Sequence, residues 1–222
     1  MKCCLTLFAC MISCLPTTAD DDHELKTVKE PPKGLSEDIA GKINAEGYRV
    51  EGPDGPVCDV WLAKKLEVKA KFTPSLSVNY PFTPGQFFGV LRVPEGSTYS
   101  DFRGQELSSG TYTLRYGQQP EDGNHIGTSD LADFLLALPA KIDKSSKTIS
   151  GFDELSSRSA KSAGATHPAI FSLLPAEDEV EEADLIHDED YEFWILSFNG
   201  AGAKGDKAVK VPVRLVTIGQ SE

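Results

Sequence analysis

Cysteine is scarce once the first segment of the chain is set aside. Four of the five cysteines precede Asp20, at positions Cys3, Cys4, Cys10 and Cys14, and Cys58 is the fifth. One thiol cannot pair with itself, so a disulfide framework within the rest of the chain is excluded. Beyond the N-terminal segment, no apolar run is long enough to cross a bilayer, and the sequence predicts no transmembrane segment.

Basic residues are also in short supply, since 22 Lys and Arg face 34 Asp and Glu, for a net charge of −12. Such a surface repels nucleic acid and anionic membranes, so neither is expected as a partner. The sequence also lacks a Walker phosphate loop and a Gly-x-Ser-x-Gly nucleophile elbow, and its single Gly-x-Gly-x-x-Gly spacing, from Gly200 to Gly205, lies between two predicted strands and does not open a helix. These features argue against dinucleotide enzymes, P-loop enzymes and serine hydrolases.

The first nineteen residues have the pattern of an export signal. Lys2 precedes a mostly apolar run from Cys3 to Leu15, Pro16 ends that run, and Ala19 offers a small residue for cleavage before Asp20. The sequence therefore predicts export to the periplasm, the cell surface or the medium after cleavage near Ala19. A lipid anchor at Cys10 or Cys14 stays open, although the residues before each cysteine match a lipoprotein box poorly.

The remaining chain divides into a polar arm over 20–47 and a β-rich domain over 48–219. The arm contains Pro31-Pro32 and few large apolar residues, so it is expected to form a tether without fold elements, apart from one short helical turn from Ser36. The domain contains short stretches that alternate apolar and polar residues and are separated by turn residues. This pattern predicts an all-β fold, an antiparallel sandwich or jelly roll, with one short helix.

Several elements of the domain can be assigned from periodicity. Strands are predicted at 48–51, 57–62, 66–72, 87–93, 110–117, 133–139, 169–174, 191–198 and 209–215. The helix is predicted over 152–163, with Gly164 as its stop signal. Pro212 marks the last strand as an edge strand, 177–190 is expected to be an acidic loop, and 199–207 a glycine-bearing turn.

Two stretches carry a family resemblance. The first comprises the run from Gly110 to Pro120, the segment Asp122-Gly-Asn-His-Ile-Gly-Thr128 and Asp133-Phe-Leu-Leu136, and the second is Ala165-Thr-His-Pro-Ala-Ile-Phe-Ser-Leu-Leu174. Both resemble a family of uncharacterised secreted bacterial proteins. The resemblance covers about Tyr48 to Leu174. It implies export and a β-rich domain, and it transfers no catalytic residue.

A polar loop before the strand at 133–139 holds the best candidates for metal binding. Asp122, Asn124, His125, Asp130 and Asp133 could supply oxygen and nitrogen ligands to a divalent cation. His167 would join them if its connection lies at the same end of the domain. Turn chemistry and hydrogen bonding to the backbone explain the same residue types without any metal.

Ligand binding is predicted at Arg115, Tyr116 and Asn124, close to the same loop. The outward set Thr111, Thr113 and Arg115, with Tyr99 or Trp61 nearby, could form a sugar-binding face. Cys58 shares a strand face with Val60 and Leu62, which indicates a buried and inert thiol.

The sequence favours an exported, non-enzymatic binding or accessory protein whose ligand is a small molecule, a glycan or another protein. A metal-dependent hydrolase that uses His125, His167 and a carboxylate is the enzymatic alternative. A carbohydrate-binding module is the third possibility.

Export generates a direct prediction. When the chain is expressed in a host that exports it, we expect intact-mass measurement to find a protein that begins at about Asp20. A cytosolic product that still carries the cysteine-rich leader would contradict this prediction.

Overall fold

The structure is a computed structural model that describes residues 23–119, 132–176 and 178–221. Two helices lie in these ranges, α1 (Glu37–Lys42) and α2 (Phe152–Ala160). The strands are β1 (Glu24–Val28), β2 (Gly47–Gly52), β3 (Gly55–Leu62), β4 (Leu66–Glu67), β5 (Phe87–Val93), β6 (Tyr99–Ser100), β7 (Glu106–Leu107), β8 (Gly110–Gln118), β9 (Asp133–Pro139), β10 (Ile170–Leu174), β11 (Asp184–Asp188), β12 (Phe193–Lys204) and β13 (Lys207–Ile218).

A single sheet contains eleven of these strands in the order β1-β2-β3-β5-β8-β9-β10-β13-β12-β11, with the short β4 added beside β12. Its pairings are antiparallel except for that of β4 with β12. The sheet curls until Cα atoms of β1 and β11, its two end strands, lie within 8 Å of each other. The predicted all-β class is confirmed, and its form is one curled half-barrel sheet instead of two clearly separate sheets.

The concave face of the sheet encloses the main core. On β3, Cys58, Val60 and Leu62 point inward, as the alternation predicts, and each is at most 5% exposed. Tyr116, Phe198 and Leu215 reach the same interior from β8, β12 and β13. Because successive side chains of a strand point to opposite faces, a curled sheet gathers every second residue of each strand into one interior.

The outer face is covered over its middle strands. Leu136 and Leu138 of β9 pack against Leu155 of α2 and against Ile149 in the connection before it. The Ser159 hydroxyl of α2 donates to the Ala137 carbonyl at 2.8 Å and accepts the Ala169 amide at 3.1 Å. The predicted helix is therefore confirmed, and Gly164 stands after it with φ +62°.

A buried ion-pair network of one carboxylate and two arginines crosses the outer face of β2, β3 and β5. Asp59 is fully buried and accepts Arg49 Nε at 2.6 Å and Arg92 Nε at 2.7 Å. The register places both arginines directly opposite Asp59, one on each neighbouring strand. The Arg92 guanidinium also lies 5.1 Å from the centre of the Trp61 ring. The two arginines compensate for the loss of hydration of the buried Asp59 carboxylate. We therefore assign this ion-pair network a structural role.

Four expectations about the chain require correction. The 20–47 arm contains the strand β1, which was not expected, besides the expected helical turn from Ser36, which is α1 and whose Ser36 hydroxyl accepts the Ile39 amide. The predicted strand 66–72 shortens to Leu66–Glu67. The acidic stretch 177–190 contains β11, and the expected turn 199–207 is mostly strand, with β12 ending at Lys204.

The predicted edge position of Pro212 is correct only locally. β13 lies between β10 and β12, so it is not an edge strand as a whole. β10 pairs with it only at Arg214 and Leu215, however, and Pro212 is paired on the β12 side alone. Proline lacks an N–H donor. It is tolerated here because the side of β13 that faces away from β12 has no strand partner at Pro212 and needs no donor.

Neither described helix is long and apolar enough to cross a membrane.

Candidate functional site

The sheet has two end strands that lack a second partner. β1 pairs with β2 over its whole length, and β11 pairs with β12 over its whole length. Among the described residues, neither strand pairs with another strand on its other side. The two open edges face each other across a cleft of about 870 Å³, which we call the seam cleft.

Acidic residues dominate the rim of the seam cleft. Its lining includes Glu24, Glu181, Glu182 and Asp184, against Lys26 and Lys210. Both lysines already have acidic partners: Lys26 lies 3.3 Å from Glu24, and Lys210 lies 3.6 Å from Glu179. Within the described part of the chain, Glu181, Glu182 and Asp184 have no ion-pair partner, so the cleft presents an excess of negative charge.

The floor of the seam cleft is partly apolar. Leu25 of β1 and Leu185 of β11 point toward the interior and are only partly buried against the main core. Tyr48 of β2 lies behind them, its ring 6.3 Å from that of Phe198, and partial burial raises the pKa of its hydroxyl. An occupant of the cleft could therefore bury apolar side chains against this floor.

Aromatic rings cluster at the end of the cleft where β1 begins. The His187 ring stacks on Trp194 at 4.3 Å between ring centres, with only 2° between their planes. The His23 ring lies 4.7 Å from Trp194, tilted by 48°. Because His23 precedes β1 and His187 belongs to β11, Trp194 contacts residues from both sides of the seam and links the two edges.

Arg115, predicted to bind a ligand, is instead a fully buried structural residue. Its guanidinium donates to Asp143 through Nε at 2.6 Å and through Nη2 at 2.9 Å. Its remaining N–H groups donate to the carbonyls of Gly85, Lys147 and Ser145. With its five N–H donors used in this way, Arg115 fastens the 143–147 connection to the sheet and has no donor left for a ligand.

Tyr116, the second predicted ligand-binding residue, is buried inside the barrel. Its hydroxyl donates to Asp133, which also accepts the Asn79 amide. Burial raises the pKa of both the Tyr116 hydroxyl and the Asp133 carboxyl. The pair ties β8 and β9 to the segment near Asn79, so both residues have clear structural roles.

The predicted sugar-binding face does not form as expected. Thr113 is fully buried, with its hydroxyl donating to Asp143, and Trp61 and Tyr99 are at most 3% exposed. Of the set Thr111, Thr113 and Arg115, only Thr111 is not buried. The alternation correctly separated two strand faces, but the outer face is covered here by the connection after β9.

The predicted metal ligands cannot be compared with one another. Asp122, Asn124, His125 and Asp130 lie outside the described residues, and His167 is exposed after α2. Asp133 is instead buried, and its carboxyl accepts the Tyr116 hydroxyl and the Asn79 amide. In the parts of the chain that are described, no group of three or more His, Cys, Asp or Glu residues is arranged to hold a metal ion. The metal site therefore stays a prediction.

Cys58 is buried, as predicted, and desolvation raises its pKa to about 12. A thiol with such a pKa stays protonated at neutral pH, so it is a poor nucleophile and a poor metal ligand.

The seam cleft was missed in the sequence because its two walls are short strands in acidic or polar stretches. The only signals were the spacing of Leu25 and Thr27 in β1 and of Leu185 and His187 in β11, which is too brief to distinguish a strand from a loop.

The Arg115 network predicts a large difference between buried and exposed ion pairs. Replacing Arg115 by Met leaves the Asp143 carboxylate buried without its partner, and we expect a loss of about 3–5 kcal/mol in the free energy of unfolding. Arg158→Met is the matched control, because its pair with Glu154 is partly exposed and is expected to contribute less than about 1 kcal/mol. Urea unfolding measures both, and equal losses would contradict the assignment.

The raised pKa of Asp133 predicts how stability depends on pH. A folded pKa above 3.8 means that the folded protein binds this proton more tightly than the unfolded chain. The Asp133 carboxyl contributes fully to stability below pH 3.8, its pKa in the unfolded chain, and this contribution is lost as the pH rises through the pKa in the folded protein. Relative to Asp133→Asn, the unmodified protein should therefore gain stability as the pH falls from 7 toward 4. Urea unfolding across this range would contradict the prediction if the difference were flat or had the opposite slope.

Comparison with known proteins gives this chain no relative: no family model, no curated protein and no solved structure matches it. The resemblance to a family of uncharacterised secreted bacterial proteins therefore remains a prediction.

Proposed function

We propose that the protein is a non-enzymatic binding module that holds an extended, positively charged peptide segment of another protein in the seam cleft. The observation that carries this proposal is that β1 and β11 face each other across the cleft with edges that no other described strand pairs with. This proposal makes the binding or accessory protein expected from the sequence more specific, because it names the seam cleft as the binding site and a basic peptide as the ligand.

Backbone chemistry supports a peptide as the occupant. An open strand edge presents N–H and C=O groups in a regular row, and soluble proteins usually cover or distort such edges. Adding a strand to an open edge is a common way to bind an extended peptide, because the main chain supplies the hydrogen bonds. Here β1 and β11 offer one such edge on each side of the cleft.

The width of the seam limits where that strand can lie. Paired strands are about 4.8 Å apart, so an inserted strand needs about 9.6 Å between its two neighbours. The closest Cα atoms of β1 and β11 are within 8 Å, which is too narrow for insertion at that point. The peptide therefore pairs with one edge where the seam is narrow and lies between both edges only where it widens.

Side-chain chemistry selects the character of the peptide. Alternate residues of an extended segment would point inward, against Leu25 and Leu185, and outward, toward Glu181, Glu182 and Asp184. The inward positions favour apolar side chains, and the outward positions favour Lys or Arg. Net charge adds long-range attraction, because a chain of charge −12 draws basic partners toward it.

Export belongs to the same proposal, and it is supported by the leader pattern of residues 1–19. A partner met outside the cytoplasm would suit a binding module without a cofactor. The metal-dependent hydrolase alternative depends on His125 and therefore on residues outside those described. The carbohydrate-binding alternative has lost its support, because Thr113, Arg115 and Trp61 of the expected sugar-binding face are buried.

Calorimetric titration with a short peptide tests the proposal. We expect a seven-residue peptide that alternates Lys with Val or Thr to bind, and Glu181→Gln/Glu182→Gln/Asp184→Asn to weaken that binding by at least about tenfold, or 1.4 kcal/mol. Asp178→Asn/Glu189→Gln/Asp190→Asn is the matched control, because it removes the same charge from exposed positions outside the cleft. Equal weakening by both variants would show general attraction only and would contradict the proposal.

Backbone modification separates strand addition from simple charge attraction. The same peptide with N-methyl groups at alternate amides keeps its lysines but cannot pair along an edge. We expect it to lose most of its affinity. Binding that survives N-methylation, or competition by spermidine at the same concentration, would assign the cleft to small cations instead.

A further inference from the structure

A second pocket shares no lining residue with the seam cleft and has the opposite charge. It has a volume of about 320 Å³ and is lined by Lys33 before α1, Lys141 after β9 and Lys161 at the end of α2. Three separate segments of the chain thus bring one lysine each to the same opening. We call it the lysine pocket.

Among the residues that the structure describes, no carboxylate lines the lysine pocket, although acidic residues outnumber basic ones in the chain. Other lysines, such as Lys26, Lys65 and Lys210, lie within 4 Å of an acidic oxygen. Within the described residues, Lys33, Lys141 and Lys161 have no such partner. Lys161 is partly explained as a cation at the C-terminal end of α2, where it interacts favourably with the helix dipole. That explanation does not extend to Lys33 or Lys141.

The rest of the lining supplies hydroxyl groups and a partly apolar floor. Ser108, Ser109 and Thr111 lie on one side, and the nearly buried ring of Tyr112 lies with Pro139 at the base. The Tyr112 hydroxyl donates to the Ser108 carbonyl at 2.6 Å and the Thr111 hydroxyl donates to the Lys33 carbonyl at 3.1 Å. These bonds fix the wall of the pocket and leave the oxygen lone pairs of Thr111 free to accept from a ligand.

We propose that the lysine pocket binds a monosaccharide-sized ligand that carries a phosphate or sulfate ester. The three ammonium groups attract the tetrahedral oxyanion, the serine hydroxyls donate to it, and the Tyr112 and Pro139 floor contacts the uncharged remainder. A volume near 300 Å³ is at the small end of ligand pockets and exceeds what a bare oxyanion needs. This site is independent of the peptide proposed for the seam cleft.

NMR titration of the purified full chain with glucose 6-phosphate, glucose 6-sulfate and glucose tests the inference. We expect saturable shifts of the amides of Ser109, Thr111 and Lys141 with at least one of the two esters below about 10 mM, weakened by added salt, and none with glucose. The ester that binds more tightly identifies the source of the oxyanion.

Variants decide whether the lysines carry the binding. Lys33→Gln/Lys141→Gln/Lys161→Gln should raise the dissociation constant of the bound ester at least about tenfold. The control Lys71→Gln/Lys204→Gln/Lys207→Gln removes the same charge from exposed positions outside the pocket. It should change the dissociation constant of the ester by no more than about twofold. Because all six lysines are exposed, a thermal melt of each variant verifies that the fold is kept. Absence of saturable binding by both esters, equal binding of glucose, or equal weakening by the two triple variants would overturn the proposal.

Discussion

The two end strands of the sheet, β1 and β11, approach each other without pairing, and this gap sets both the half-barrel form and the position of the seam cleft. The sheet curls far enough to enclose one core, and its end strands come within 8 Å without forming a ladder. A fully closed barrel would satisfy every backbone group along both edges. An open sheet of this length would expose much more of its apolar concave face. The half-barrel lies between these two arrangements, and its seam is where the interior can be reached from outside.

Buried charges on the outer face keep the curled sheet in shape. Asp59 binds arginines from the strands on either side of it, and Arg115 binds Asp143 and three carbonyls of the 85 and 145–147 segments. Such networks are costly to desolvate, and they are stable only when every partner is present. Their cost and geometry mark them as features that fix the fold. Arg115 in particular shows how a charged residue with strong ligand-binding chemistry can be fully occupied inside the protein.

The sequence predicted the all-β class and most central strands because those strands either alternate cleanly or form short, continuous apolar runs. β3 and β8 alternate, whereas β5 and β9 are apolar on both faces and are buried on both. The helix α2 was predicted from its acidic start and its glycine stop. The sequence could not predict β1 and β11, since each strand has only five residues of mixed character in an acidic stretch and shows no clear hydrophobic periodicity. The strand predicted over 66–72 shows the opposite limit, because its alternation is strong but its pairing with β12 ends at Val68, whose amide donates to the Ala203 carbonyl, and the Lys69 amide donates to Pro81, which belongs to no strand. Arg115 and Thr113 were assigned to an exposed face because alternation separates two faces without revealing which of them another segment covers.

The two proposed sites have opposite charge and are built from different kinds of group. The seam cleft combines open backbone edges with unpaired carboxylates, whereas the lysine pocket combines ammonium and hydroxyl groups around a small apolar floor. Both the peptide site and the half-barrel form require the seam to be an open strand-pairing site. Hydrogen–deuterium exchange of the edge amides in 24–28 and 184–188 tests this requirement. We expect fast exchange at alternate amides of both strands in the free protein and marked slowing, confined to these strands, when the alternating Lys peptide is added. Slow exchange along both edges in the free protein, or exchange that the bound peptide leaves unchanged, would contradict it.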